Sequence, residues 1–405
     1  MRVVVATLAL LIASCNGGAR GVPARRPAAG TPVAPRKIRD AEERGNLLNI
    51  ALGASVVSRT AELTLEQSAL RAIDGDPDSA WNSPPNDVKQ TIVFALPGMT
   101  RIEKVGVKTP RAPVFRVSAV QFDSSTDGVN FAPLSTLQIP PSEGVQLFAV
   151  PPRDVVYLRV TILEATGQFA RLESVQVRGT AQQPPVQQTI DGCWSINGLP
   201  SSFATDHGRT TGTIGGDHPL SFDGGTDGVV YRFLWTSGPD WGFGAIDTAP
   251  DGKHLSGLRW YVEPIEFSAA ESWFGERTKC GAAMNREDVS QKFLLRAGRL
   301  PLYALRFEAN GALSENESAS TLDELASLAR QKRYRLVSRE FRMGDAAANR
   351  KRAQQRLDSL RAALQKRGVD PSRFDWQAIG SDSPPRSIES EVQRVLYSVI
   401  ELQSL

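Results

Sequence analysis

The sequence predicts a multidomain protein: a β-sandwich, then a small disulfide-closed antiparallel β-barrel or meander, then a C-terminal α+β domain of βαβαβ order. Three observations predict it. Between Asn46 and Gly179, short β runs are separated by turn residues without an intervening helical period; between residues 189 and 281, Gly and Trp concentrate in a block with a cysteine near each end; from Leu300 onward helical periods alternate with β runs. At 405 residues the chain is too long for one core. Its 47 basic residues are matched by 44 acidic ones, for a net charge of +3, so no nucleic-acid partner is expected.

The chain opens with Met1-Arg2, an apolar run from Val3 to Ile12 broken by Thr7, and Ala13-Ser14 before Cys15. That is the pattern of a secretory signal peptide, too short to remain as a membrane-spanning helix. Ile12-Ala13-Ser14-Cys15 resembles the bacterial lipobox, which implies lipidation of Cys15 and membrane attachment through the acyl chains. An ordinary cleaved signal is the alternative. Residues 16–44, rich in Gly, Pro, Ala and Arg and without apolar period, read as a tether.

The sandwich is placed at residues 45–180. Runs at 91–94, 105–107, 118–122, 156–161 and 175–177 have strand length and β-branched content, and Asp127-Gly128 has hairpin-turn chemistry. The segments Asn49–Gly53, Ala72–Trp81, Ser125–Phe131, Tyr157–Val160 and Leu172–Val177, in that order, resemble the discoidin domain, the coagulation-factor C-type or galactose-binding-like jelly roll. The resemblance implies that Trp81 and Phe131 fill the core. It also implies a structural Ca²⁺ near Asp74, Asp76, Ser79 and Glu173, oxygen ligands that suit a hard cation; a hydrogen-bonded turn is the alternative. Sugar-binding members carry an exposed aromatic with His, Arg or Asn on loops at one end. This segment has no histidine, and Arg111 and Phe169, with Phe115 and Arg116 close by, are its candidates for ligand binding or for ordinary packing.

A linker is expected at 181–188 and the Gly/Trp-rich β-domain at 189–281. Cys193 and Cys280 are expected to bond in an oxidising compartment and close the barrel, with two separate buried thiols as the alternative. Trp194, Trp235, Trp241, Trp260 and Trp273 suit either a barrel core or a sugar or lipid site. His207, His218 and His254 show no metal-ligand spacing and read as turn residues.

After a second linker at 282–299, the last domain is placed at 300–405. Leu302–Phe307 reads as a strand, Ser314-x-x-Glu317 as a capping box before a helix, Arg335-Leu336-Val337 as a second strand, Asp345 as the cap of a second helix ended by Gly368, and 376–380 and 396–402 as the closing strands. Phe307-Glu308, Gly344, Asn349, Arg356, Gly368-Val369, Arg373, Gly380 and Pro384 resemble the OmpA-like peptidoglycan-associating domain. In that family an aspartate and an arginine clamp diaminopimelate. Here Arg356 is kept while Phe341 stands at the aspartate position, and Glu340, one residue away on a strand, is expected to face the other side. The implied fold persists and wall binding is expected to be weakened, altered or lost. Basic residues of the second helix, Arg350 to Arg367, offer an anion-attracting or simply solvated face.

No nucleophile elbow, phosphate loop or metal cluster is recognisable, so the expectation is a non-enzymatic, lipid-anchored cell-envelope protein, of the outer membrane, that binds glycan, peptidoglycan or envelope proteins. Two alternatives stand beside it. One is an enzyme or accessory subunit of polysaccharide processing with its site in the Trp-rich domain, and the other is a purely protein-binding scaffold.

Overall fold

The computed structural model describes residues 45–182, 187–262, 270–282, 284–342, 344–384 and 390–405. The signal segment, Cys15 and the tether lie outside the described residues. Among those described, no helix is long and apolar enough to cross a membrane.

The first module is built from β1 (Ser55–Arg59), β2 (Trp81–Asn82), β3 (Thr91–Lys108), β4 (Val117–Ser125), β5 (Ala132–Gln138), β6 (Gln146–Ala165), β7 (Arg171–Leu172) and β8 (Ser174–Ala181). The sheet runs β1-β3-β6-β4-β5, β8 pairs with β3, and β2 pairs with β7. The expected runs at 91–94 and 105–107 are the two halves of one strand, β3. Its register against β6 shifts between Ala95 and Thr100, where Pro97-Gly98 interrupts it, and Pro151-Pro152 interrupts β6. Proline has no N–H to give to a ladder, so both long strands bend there. Trp81 is fully buried, as expected, while Phe131 sits at the edge of the core beneath the Arg159 guanidinium, 4.6 Å from the ring centre. At the Asp127-Gly128 turn, Gly128 takes φ +76° and the Asp127 carboxylate accepts from the Val129 and Asn130 N–H groups.

The second module is a closed meander of β9 (Gly192–Ile196), β10 (Leu199–Asp206), β11 (Arg209–Ile214), β12 (Leu220–Thr226), β13 (Tyr231–Ser237), β14 (Asp240–Thr248), β15 (His254–Tyr261) and β16 (Glu271–Arg277), with β16 returning to β9. Strand alternation sends Tyr231, Phe233 and Trp235 inward, where they join Trp194, Phe203, Phe222 and Trp273 in a filled interior. Phe222 meets Trp273 edge-on at 5.3 Å. Trp194, Trp235 and Trp273 fill the barrel core as expected, and Trp260 is buried on the outside of the barrel, so these four offer no open aromatic cleft. The Cys193–Cys280 disulfide forms, with Cα atoms 5.1 Å apart.

The third module contains α1 (Val289–Ala297), β17 (Arg299–Pro301), α2 (Ala319–Gln331), β18 (Tyr334–Arg339), α3 (Ala346–Lys366), β19 (Phe374–Gly380), α4 (Glu391–Tyr397) and β20 (Ile400–Ser404). Its sheet order is β17-β20-β18-β19, with β18 and β19 parallel. Several local expectations are corrected. The linker at 282–299 contains α1, capped by Asp288 and held to the barrel by Phe293, whose ring meets Trp241 at 4.7 Å and Phe243 at 5.4 Å. Residues 302–305 lie in turns, since Leu302 and Leu305 close a backbone hydrogen bond. Ser314 caps nothing: α2 starts after Ser318, whose hydroxyl is taken by the Arg306 N–H. The expected strand 396–402 is the end of α4, begun by a Ser390/Gln393 capping box, and the start of β20. Asp345 does cap α3, accepting from the Ala348 N–H.

One apolar cluster joins the three modules. Val230, Leu234, Phe243, Leu258 and Trp260 on the outside of the barrel are continuous with Val56 and Leu70 of the sandwich and with Phe293, Leu300 and Leu402 of the third module. Polar contacts follow the same seams: the Val56 N–H donates to Ser256 Oγ at 2.9 Å, and the hydroxyls of Ser68 and Ser272 are 2.5 Å apart.

Asp247, on β14, faces outward where Ile246 faces the barrel interior, yet it is buried and its Oδ1 has no hydrogen-bond partner among the described residues. Burial, and after it the charge of Asp227, raises its carboxyl well above the usual value of 3.8. The unfolded chain ionises near 3.8 while the folded one keeps the proton, so the stability from this group is present below that pH and falls as pH rises toward the folded value. Asp247→Asn is expected to gain about 1 kcal/mol or more over the wild type on going from pH 4 to pH 8. Urea titrations at the two pH values check it, and parallel curves for the two proteins would refute it.

Candidate functional site

Three loops meet at one end of the sandwich. The Arg171 N–H donates to the Phe115 carbonyl at 3.0 Å, the Thr166 N–H to the Arg116 carbonyl at 2.8 Å, and the Asn86 N–H to the Gln168 carbonyl at 2.8 Å. Gly167, at φ +89°, makes this possible: a Cβ there would stand 2.2 Å from the Val114 carbonyl oxygen. The backbones lock and their side chains turn outward. Phe115 is exposed and Phe169 half-buried, their ring centres are 5.8 Å apart, and exposed Val114 continues the surface. Of the two residues singled out for ligand contact, Phe169 joins this patch. Arg111 lies on the Phe115 loop but is tied in solvent to Glu143 at 3.2 Å. Phe115 completes the pair, which chain order alone could not show because fifty-four positions separate the two rings.

The four residues expected around calcium do not form one shell. The Asp74 carboxylate accepts from Arg71 Nη1 at 3.0 Å, from Ser79 Oγ at 2.7 Å and from the Asp76 N–H at 2.9 Å. Asp76 turns its own carboxylate to the Asp78 N–H, and Glu173 lies 3.8 Å from both Lys108 and Arg171. Among the described residues no three His, Cys, Asp or Glu side chains converge to hold a metal.

Arg356 corrects the half-clamp expectation. Its Nη2 lies 2.9 Å from Glu340 Oε2, and Arg342 Nε is 3.2 Å from Glu340 Oε1. Glu340 reaches them because β18 ends at Arg339: the register with β19 shifts between Ser338 and Arg339, and strand alternation no longer governs the next residue. Burial pushes the Glu340 carboxyl up, but the Arg356 and Arg342 guanidinium groups outweigh it and bring it down to about 2. The basic face of α3 is also largely engaged: Lys366 meets Glu315 at 2.6 Å, Arg367 meets Asp323 at 3.2 Å, Arg350 pairs with Asp382, and Arg361 lies over Trp376.

Two histidines sit against neighbouring carboxylates, His207 with Asp206 in a turn and His254, the first residue of β15, with Asp251. A cleft of about 460 Å³ between barrel and third module is lined by Asp223, Glu287, Asp288 and Glu324, and Arg209 bridges Asp223 to Glu324. The two carboxylates share that one guanidinium, and burial keeps the Glu324 carboxyl above its usual value.

Residues 55–174 match the F5/8 type C domain. Among solved structures the chain is similar to the third CBM32 module of a family 31 glycoside hydrolase from Clostridium perfringens (18% identity, covering 35% of this chain and 98% of that one, TM-score 0.31). It is similar also to the C-terminal domain of a chitobiase from Bacteroides fragilis (19% identity, 32% and 96% covered, TM-score 0.30). A third is the fifth CBM32 module of the Clostridium perfringens protein CpGH89, solved in complex with GalNAc-β-1,3-galactose (24% identity, 33% and 99% covered, TM-score 0.29). No curated protein matches the chain.

Proposed function

We propose that the F5/8 type C domain at residues 55–174 makes this a glycan-binding protein whose sugar site is the Phe115–Phe169 patch. The observation that carries it is the pair of aromatic rings on locked loops at one end of the sandwich, Phe115 exposed and Phe169 half-buried beside it. An aromatic face stacks on the C–H side of a pyranose, and Arg111, Gln168 and Asn86 supply polar edges from the same three loops. Galactose and GalNAc-β-1,3-galactose are the first probes, because the match is to a galactose-binding-like fold. Isothermal titration of the full chain is expected to show saturable binding to at least one, and Phe169→Ala to weaken it about tenfold, the loss of one stacking contact. Folding should survive, since the ring is partly in solvent. Binding unchanged in both Phe115→Ala and Phe169→Ala would remove the patch as the site.

The wider reading is a non-enzymatic, lipid-anchored envelope protein, supported by the lipobox-like Ile12–Cys15 and by the βα alternation of the third module, which we read as OmpA-like. Labelled palmitate incorporation that disappears in Cys15→Ala tests the anchor. With Glu340 committed to Arg356 and Arg342, a peptidoglycan amine has no free carboxylate to meet there, so the wall is not the partner we assign to that module.

A further inference from the structure

A cavity of about 570 Å³ opens between the barrel and the third module, away from the sandwich loops. Five arginines line it, Arg232 from β13, Arg306, Arg342, and Arg352 and Arg356 from α3, against three acids, Asp227, Glu308 and Glu340. That leaves a surplus of two positive charges around a buried centre of Arg232, Arg356 and Glu340. Two of the three acids are already spoken for, since Asp227 meets Arg342 at 2.8 Å and Glu340 meets Arg342 and Arg356, while the third, Glu308, is exposed.

The remaining guanidinium donors are only partly used. Arg232 gives one amino group to the Val395 and Ser398 carbonyls, and Arg352 gives its amino groups to the carbonyls of Glu308 and Ala309. The Nε–H of Arg232, Arg352 and Arg356 and the Nη1 of Arg306 are buried without an acceptor among the described residues. Arg232 and Arg356 are only 4% and 5% exposed. Unmade hydrogen bonds and unpaired charge are costly in such a place, and structures keep them where a ligand completes them. Gly228 allows the crowding: a Cβ on it would stand 2.2 Å from the Arg306 guanidinium. Burial, with the charges of its arginine neighbours acting against the pull of Glu340, lowers Arg356 to about 10.

We propose that this cavity binds a phosphorylated small molecule the size of a sugar phosphate, with its phosphoryl group among Arg232, Arg306, Arg352 and Arg356. A phosphate monoester carries close to two negative charges at neutral pH, which matches the surplus, and its three terminal oxygens accept from several guanidinium groups together. The cavity is in the volume range of small-molecule sites, roughly 300–1,000 Å³, and Leu302, Phe307 and Ile400 give it an apolar wall for the organic part.

The test is isothermal titration of the full chain at about 0.15 M salt with glucose 1-phosphate, inorganic phosphate, citrate and glucose. Saturable binding of glucose 1-phosphate is expected, with weaker binding of inorganic phosphate and none of glucose. Arg352→Gln and Arg306→Gln, both only partly buried, are each expected to weaken binding tenfold or more while leaving the urea midpoint unchanged, and Phe169→Ala to leave it intact. Absence of saturable binding to either phosphate, citrate bound as tightly as glucose 1-phosphate, or unchanged affinity in both arginine variants would overturn the proposal.

Discussion

Replacing Cys193 and Cys280 together by serine is expected to lower stability by about 2–5 kcal/mol, the range for a native disulfide. The bridge closes a sequence separation of 87 residues, for which the chain-entropy model gives about 4–5 kcal/mol. Its position adds to this. The barrel is a meander in which neighbouring strands pair over five to seven residues, yet the closing seam between β16 and β9 has three pairs, Gly275–Ile196, Glu276–Ser195 and Arg277–Trp194. Beyond the last pair the Thr278 N–H donates to the Cys193 carbonyl, and the disulfide follows. The Arg277 guanidinium completes the seam over the Trp194 ring and on the carbonyls of Thr189, Asp191 and Gly252. Urea unfolding followed by tryptophan emission should therefore shift in the double serine variant, and reduction of the wild type should reproduce the shift. A variant as stable as the wild type would mean that three pairs and one arginine hold the seam unaided.

Glu340→Gln is expected to cost about 3–5 kcal/mol, the usual result of removing one partner from a buried ion pair. The side chain is 1% exposed and stands between the guanidinium groups of Arg356 and Arg342, so its loss leaves the buried Arg356 guanidinium without its counter-charge. The pH dependence identifies the cause. The Glu340 carboxyl is held down at about 2 against the usual 4.5, so its contribution is complete above pH 4.5 and is lost as pH falls through 2. Between those values the wild type should lose stability that the glutamine variant has already lost. Denaturation midpoints from pH 7 down to pH 2 check this. A constant difference between the two proteins across that range would refute the assignment.

Patterns carried by single elements were legible in the sequence, and patterns made between elements were not. The β-branched runs of the sandwich, the Asp345 cap of α3 and the turn at Asp127-Gly128 depend on neighbours in the chain, and each lies where it was expected. The cysteine pairing was legible because only two cysteines lay beyond the signal segment. Helix α1 was missed because its apolar face is Val289, Phe293 and Leu294, too short a period to stand out until Trp241 and Phe243 of the barrel cover it. Glu340 was assigned to the wrong side because strand alternation was carried one residue past the end of β18. Arg71 left no signal near Asp74, since an arginine in a short helical turn reads as a surface residue until burial shows otherwise. At the candidate sugar site one ring of two was named. The second, Phe115, lay close to Arg111 in the chain, and only the meeting of two loops made the rings a pair.

Because Val56 of the sandwich, Trp260 of the barrel and Leu402 of the last sheet belong to one apolar interior, the three modules are not interchangeable cassettes. Gene fusion that moved the F5/8 type C segment alone into another chain would carry with it a greasy flank around Val56 and Leu70 and uncover Leu258 and Trp260 behind it. Inheritance of this arrangement is therefore expected to be all or none, with the sandwich, barrel and α+β module diverging together along a lineage and not shuffling among unrelated hosts.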